Sequence, residues 1–131
     1  FQTCNVEIAA LAAPRPMLLL SDGDDWTKNT PKVEYPHIRA IYRLFGAADR
    51  VANTHFAKEK HDYGPSKRAA ACAFLSWHLG LDAGSVLRSD GTLDESAVTI
   101  LPQADLTVFD AAHPRPAPAV AGDDAVMKLL E

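Results

Sequence analysis

Four consecutive apolar residues, Met17-Leu18-Leu19-Leu20, are fenced by Pro16 on one side and by Ser21-Asp22-Gly23 on the other. A short run of this kind, with no polar residue alternating through it, reads as a strand covered on both faces, the condition of a central strand in a parallel sheet. The pattern downstream agrees. Ile38, Ile41, Tyr42 and Phe45 recur at helical spacing, with Pro36 near the first turn and Gly46 at the expected stop. Val51 to Phe56 reads as a second strand, thinned by the polar Asn53 and His55. A second helix is expected from Ser66, its buried stripe carried by Ala70, Ala73, Phe74, Trp77 and Leu81 and interrupted at Gly80 and Asp82.

Strand, helix, strand, helix is the signature of parallel strands joined by helical crossovers, the α/β class. In that class ligand chemistry gathers in the loops beyond the carboxyl ends of the strands, here 21–31 and 57–65. Two strands and two helices leave apolar surface uncovered, so this segment is expected to be part of a larger sheet. Beyond Leu81 the pattern changes to strand-like pieces around Asp90-Gly91 and then to the extended, Pro-rich His113-Pro114-Arg115-Pro116-Ala117-Pro118. A last helix from about Asp124 to Leu130 would take Asp123 as its cap. The expected division is 1–82 as the α/β part and 83–131 as an irregular C-terminal extension packing on it.

Charge and hydropathy exclude two classes of partner. Thirteen Lys and Arg against seventeen Asp and Glu give a net charge of -4 with no basic run, so a nucleic-acid backbone has no electrostatic footprint to meet. The longest apolar stretches, Ile8 to Ala13 and Met17 to Leu20, fall far short of the roughly 20 residues a membrane-spanning helix needs. Cys4 and Cys72 lack the spacing of a zinc ribbon or a redox pair and read as buried or incidental thiols, with a bridge between them left open. The chain begins at Phe1, and the expectation is a matured or truncated product.

The densest chemical signal is Asp22-Gly23-Asp24-Asp25-Trp26-Thr27, three carboxylates directly after a buried strand, where backbone can aim an acid. The second is His61, in the loop after the next strand and 36 residues beyond Asp25. Two adjacent loops at one sheet edge put an acid within reach of one imidazole nitrogen and leave the other facing a nucleophile. The acid then fixes the tautomer and stabilises the imidazolium formed when a serine is deprotonated. In α/β-hydrolases the chain order is Ser, acid, His, and the last two are present in that order.

The stretch from Ala12 to Leu81 carries Ala12-Ala13-Pro14-Arg15-Pro16-Met17-Leu18-Leu19-Leu20-Ser21-Asp22-Gly23-Asp24-Asp25-Trp26-Thr27, then Pro31 and Glu34-Tyr35-Pro36, then His61-Asp62-Tyr63-Gly64-Pro65-Ser66-Lys67-Arg68. With these pieces it resembles the C-terminal third of bacterial α/β-hydrolase esterases related to acetyl xylan esterases. The tail, with Asp90-Gly91, Asp94-Glu95-Ser96 and His113-Pro114-Arg115-Pro116, resembles their C-terminal extension. The resemblance implies the C-terminal part of an α/β-hydrolase sheet, with Asp25 as the triad acid, His61 as the triad histidine and Asp24 at a variable position. It further implies hydrolysis of a small-molecule or carbohydrate ester, acetylated polysaccharide included, and secretion or periplasmic export.

No Gly-x-Ser-x-Gly elbow occurs: none of Ser21, Ser66, Ser76, Ser85, Ser89 and Ser96 has glycines at both required offsets, Ser21 and Ser89 having one only after them and Ser66 only before it. The nucleophile, and the oxyanion-hole amide that follows it, are therefore expected from a Ser-bearing part upstream, and the isolated segment is expected to be inactive. No cofactor and no metal are expected. His37, His55, His78 and His113 form no ligand constellation and read as packing or surface residues, Trp26 as packing or pocket lining, and Lys67 and Arg68 as solvated. Two other classes stand beside the esterase. Asp22 and Asp24 superficially fit the Asp-x-Asp of a haloacid-dehalogenase-type Mg²⁺ phosphatase, although Trp26 occupies the place of Thr or Val and His61 would have no role. A non-catalytic interaction module, self-associating through an uncovered sheet face, is the other.

Overall fold

A computed structural model describes residues 3–130. The element order is α1 (Asn5–Ala10), β1 (Met17–Asp24), α2 (Glu34–Leu44), β2 (Val51–Lys60), α3 (Pro65–Leu79) and α4 (Asp123–Leu130), with 3-10 turns at Ala83–Ser85 and Gln103–Leu106. The two strands pair in parallel, Met17 opposite Val51 through Asp22 opposite Phe56. The fold is of the α/β class, a two-stranded parallel sheet joined by one helical crossover, α2.

Both strands run further than their apolar content suggests. β1 continues through Ser21-Asp22-Gly23-Asp24, expected as loop, and β2 continues through Ala57 to Lys60, because an irregularity between Asp22 and Asp24 lets the ladder resume at Asp24 opposite Lys60. The polar residues of β2 are absorbed by the sheet itself. Asn53 Nδ2 donates to the Leu19 carbonyl and to Ser21 Oγ, each at 3.0 Å, and Ser21 Oγ also lies 2.9 Å from His55 Nδ1. A buried polar group costs little when it is bonded in this way. α1, formed by Asn5–Ala10, lies outside the expected pattern, since six residues give too few turns for a periodic signal.

Alternation along β1 sends Met17 and Leu19 to one face and Leu18 and Leu20 to the other. On the first face Ile38, Tyr42, Ala47 and Val51 are buried, with Val6, Ala9, Ala13, Met17, Leu19 and Tyr35 packed against them. Two hydroxyls fasten α2 to the start of each strand: Tyr42 Oη donates to the Arg15 carbonyl at 2.6 Å and Tyr35 Oη to the Val51 carbonyl at 3.3 Å. Phe45, expected on this buried face, is instead exposed, because α2 ends at Leu44 and Gly46 turns the chain away in the left-handed region.

α3 lies against β1 on the other side, with Ala71, Phe74 and Leu75 facing Leu18 and Leu20. The expected stripe is corrected here. Trp77 is 82% exposed, Ala73 and Leu81 are exposed, and the most buried residues of the helix are Lys67 and Ser76. Two strands are too narrow to cover the apolar surface of a 15-residue helix. Lys67 is also not the solvated residue its type suggests, while Arg68 is partly buried.

The chain divides into two compact units, Phe1–Ser96 and Ala97–Glu131. The first therefore includes the Leu87–Leu93 antiparallel bridge, closed by a turn with Gly91 at φ 82°. The second holds the Gln103–Leu106 turn and α4, which starts at Asp123 and so takes that residue into its first turn. Cys4 is exposed, Cys72 is partly buried, and both are free thiols. No helix among the described residues is long and apolar enough to cross a membrane. Because Ile38 is fully buried at the centre of the first unit, Ile38→Ala is expected to lower unfolding free energy by about 2–5 kcal/mol, read from urea denaturation midpoints.

Candidate active site

Parallel pairing sends the carboxyl ends of β1 and β2 to the same edge, and the chain places its acid and its histidine there. Asp25 follows β1 directly and His61 follows β2 directly. His61 Nδ1 and Asp25 Oδ2 are 2.9 Å apart. The Asp25 side chain is 4% exposed and that of His61 is 71% exposed, so the acid is sheltered while the imidazole projects from it.

Three local features hold Asp25. Its Oδ1 accepts from both the backbone N–H and the hydroxyl of Thr27, a short turn made possible by the Asp-x-Thr spacing. Thr27 Oγ1 in turn accepts from the Asp22 N–H at 2.8 Å, which ties the turn back to the strand. Gly23 lets the strands approach closely: a Cβ there would run into the Ala57 carbonyl group of β2. The Thr27 hydroxyl bond is the largest influence on the Asp25 carboxyl and holds it below its ordinary 3.8; burial opposes this, and the Thr27 amide and His61 assist it. An ionised carboxylate only accepts, so the proton of the neutral imidazole sits on Nδ1 and Nε2 is left as a bare base directed outwards.

Behind this pair lies a charge cluster that the sequence did not reveal. The Lys67 side chain is 2% exposed, and its Nζ lies 2.7 Å from Asp62 Oδ1, 3.0 Å from Asp22 Oδ1 and 3.4 Å from Glu59 Oε2. It also donates to the Lys60 carbonyl at 2.8 Å. Burial by itself lowers an ammonium group, but here the carboxylates of Asp62, Asp22 and Glu59 outweigh it and raise Lys67 above its ordinary value. A signal for this was present: a lysine in the first turn of a helix opposes the positive end of the helix dipole and calls for anions close by. The neighbouring Arg68 pairs bidentately with Glu95, at 2.6 and 2.7 Å, and its Nη1 donates to the Tyr63 carbonyl at 2.6 Å.

Asp22, Asp25 and His61 offer oxygen and nitrogen atoms within 4.8 Å of one another, a set able to hold a cation. The Lys67 ammonium contacts Asp22, and Thr27 and His61 engage the two oxygens of Asp25. Asp24 is exposed and Asp22 is buried against Lys67, so the two carboxylates of the Asp-x-Asp pattern occupy different environments. Ser21 is fully buried beneath Asn53 and His55, which gives that Ser–His contact a structural role. A surface cleft of about 410 Å³ opens over the acid and histidine, lined in part by Leu18, Leu20, Trp26 and Tyr63. The Trp26 and His61 rings are 6.2 Å apart and tilted.

Against known proteins, no family model and no curated protein matches the chain. Among solved structures it is similar to Methylesterase BT1017, with 44% sequence identity and a TM-score of 0.73. The chain is related to an esterase. The alignment covers 85% of this chain and 23% of that protein, so the chain spans about a quarter of its relative's length.

Since Thr27 holds Asp25 ionised, Thr27→Val is expected to move the Asp25 titration up towards 3.8, read by carboxyl-carbon NMR. The sign for stability follows. A carboxyl lowered on folding contributes fully above its unfolded value near 3.8 and loses that contribution as pH falls through the lower folded value, so wild type should lose more stability than Thr27→Val across that acid window. Gly23→Ala is expected to separate the strand ends and abolish the Asp25–His61 bond, seen as loss of the Nδ1-protonated form of His61 in ring-nitrogen NMR spectra.

Proposed function

We propose that this chain is the acid- and histidine-bearing segment of a serine carboxylesterase of the α/β-hydrolase type. The observation that carries the reading is the 2.9 Å bond between Asp25 and His61 Nδ1 at the carboxyl ends of adjacent parallel strands, with the imidazole exposed and Nε2 making no hydrogen bond among the described residues. The similarity to a methylesterase and the Ser, acid, His chain order support it. The nucleophilic serine comes from a part of the hydrolase outside this segment, and the segment alone does not turn over.

In the proposed reaction the serine Oγ attacks the ester carbonyl carbon while His61 Nε2 takes the hydroxyl proton. Asp25 holds the ring in the competent tautomer and stabilises the imidazolium. The tetrahedral intermediate then expels the alcohol, which receives the proton from His61, and leaves an acyl-serine. Water, deprotonated in the same way, releases the acid and restores the enzyme. The oxyanion donors belong to the serine-bearing part.

Two substrate readings share these steps. The resemblance described above favours an acetyl ester, acetylated xylan included, in which acetyl is transferred to serine and the carbohydrate leaves as the alcohol. The methylesterase similarity favours a methyl ester, in which methanol leaves. Assaying acetate release against methanol release from the matching esters separates them. In the complete hydrolase, Asp25→Asn and His61→Ala are each expected to lower kcat by about 10⁴-fold with the fold retained, by analogy with other serine triads. Turnover close to wild type in either variant removes that residue from the triad. An intact-mass spectrum of the active preparation should show a species that includes a serine-bearing portion as well as this segment.

A further inference from the structure

Lys67 stands where two general rules oppose a lysine. It is in the first turn of α3, where the helix dipole repels cations, and its side chain is almost completely buried. Cations survive such positions only when their donors are matched, and the three protons of this ammonium face a specific set of partners. Those facing it are Asp22 from β1, Glu59 and the Lys60 carbonyl from β2, and Asp62 from the loop, while the Phe56 ring lies 5.8 Å away. Arg68, the adjacent cation, is turned to Glu95.

The partners occupy consecutive positions around the histidine. Lys60 and Asp62 flank His61 on either side, and Lys67 grips the carbonyl of the first at 2.8 Å and the carboxylate of the second at 2.7 Å. The same ammonium lies 3.0 Å from Asp22 Oδ1 as an ion pair, and the Asp22 N–H is bonded to Thr27, the residue that orients Asp25. One ammonium group thus joins the backbone that carries the histidine to the turn that carries the acid. An ion pair that served stability alone would need no such connection, and well-packed apolar residues of similar volume often replace buried pairs without loss.

We infer that Lys67 is a positioning residue that holds the His61 loop in register with Asp25, a role that rests on the reading of His61 as the triad base. Lys67 touches no reacting atom and acts through Lys60 and Asp62. Without the grip, the loop is free to rotate and His61 loses its fixed partner.

The test is ring-nitrogen NMR of His61 in the full 131-residue chain, at a pH where the imidazole is neutral, with far-ultraviolet circular dichroism as the check on folding. In wild type the Nδ1-protonated tautomer is expected to be the major form, because Asp25 accepts from it. In Lys67→Met it is expected to become the minor form, as for an imidazole free in solution. Asp62→Asn loosens one arm at an exposed side chain and is expected to shift the populations in the same direction, which decides the matter if Lys67→Met does not fold. Wild-type tautomer populations in a folded Lys67→Met and in Asp62→Asn overturn the inference, as does a wild-type ring protonated mainly on Nε2. In the complete hydrolase, Lys67→Met is expected to lower kcat by about 10²-fold with KM little changed, the cost of a displaced base. Should Asp25→Asn leave turnover intact, the triad reading falls, while the tautomer measurement still reports whether Lys67 positions the ring.

Discussion

Everything in the first unit depends on the parallel ladder between β1 and β2. An antiparallel pair would put the residue after one strand and the residue after the other at opposite ends of the sheet. In parallel, with Met17 opposite Val51 and the ladder resuming at Asp24 opposite Lys60, the next residues in each strand direction are Asp25 and His61. The core beneath serves that register. Tyr42 and Tyr35 fasten α2 near the start of each strand, and Asn53 crosses to the Leu19 carbonyl, so the strands cannot slide without breaking partly buried bonds.

At the far end of the ladder the protein spends polar residues where a simple core would spend apolar ones. Ser21 and His55 meet on one face and Asp22 and Lys67 on the other, directly beneath the acid and histidine. Charged groups in a low-dielectric setting are costly unless fully partnered, but once partnered they are directional in a way that apolar contacts are not. Asp25 is held by Thr27 on one oxygen and met by His61 on the other. Exposure follows the same division: the acid is sheltered and the imidazole is open, as expected of a base that must meet a group from elsewhere.

The same geometry explains why this sheet is short of cover. Trp77, Leu79 and Leu81 of α3 and its end are exposed, and a two-stranded sheet offers too little area to bury them. That surface, the relation to an esterase about four times longer, and the absence of a nucleophile elbow from the sequence are three independent observations consistent with the proposal of a serine-bearing remainder.

The sequence alone determined the α/β order, because Met17–Leu20, the period of Ile38 and Tyr42, and the stop at Gly46 are local signals that each follow from side-chain periodicity or backbone conformation. It also put the carboxylates of Asp22 to Asp25 and the imidazole of His61 at one edge, because loops after successive parallel strands are neighbours, while the choice of Asp25 among those acids rests on the family resemblance. The length of both strands was not legible: Ser21 to Asp24 and Ala57 to Lys60 have loop-like composition and become strand only through pairing with each other. Nor were Trp77 and Phe45, whose apolar character predicts burial that only available neighbouring surface can grant. Lys67 reads as solvated in the sequence because a lysine's type speaks of its charge and does not identify the three carboxylates, from two strands and a loop, that the tertiary structure gathers around it. Periodicity is a property of the chain, whereas the partner that makes a buried charge tolerable is a property of the fold.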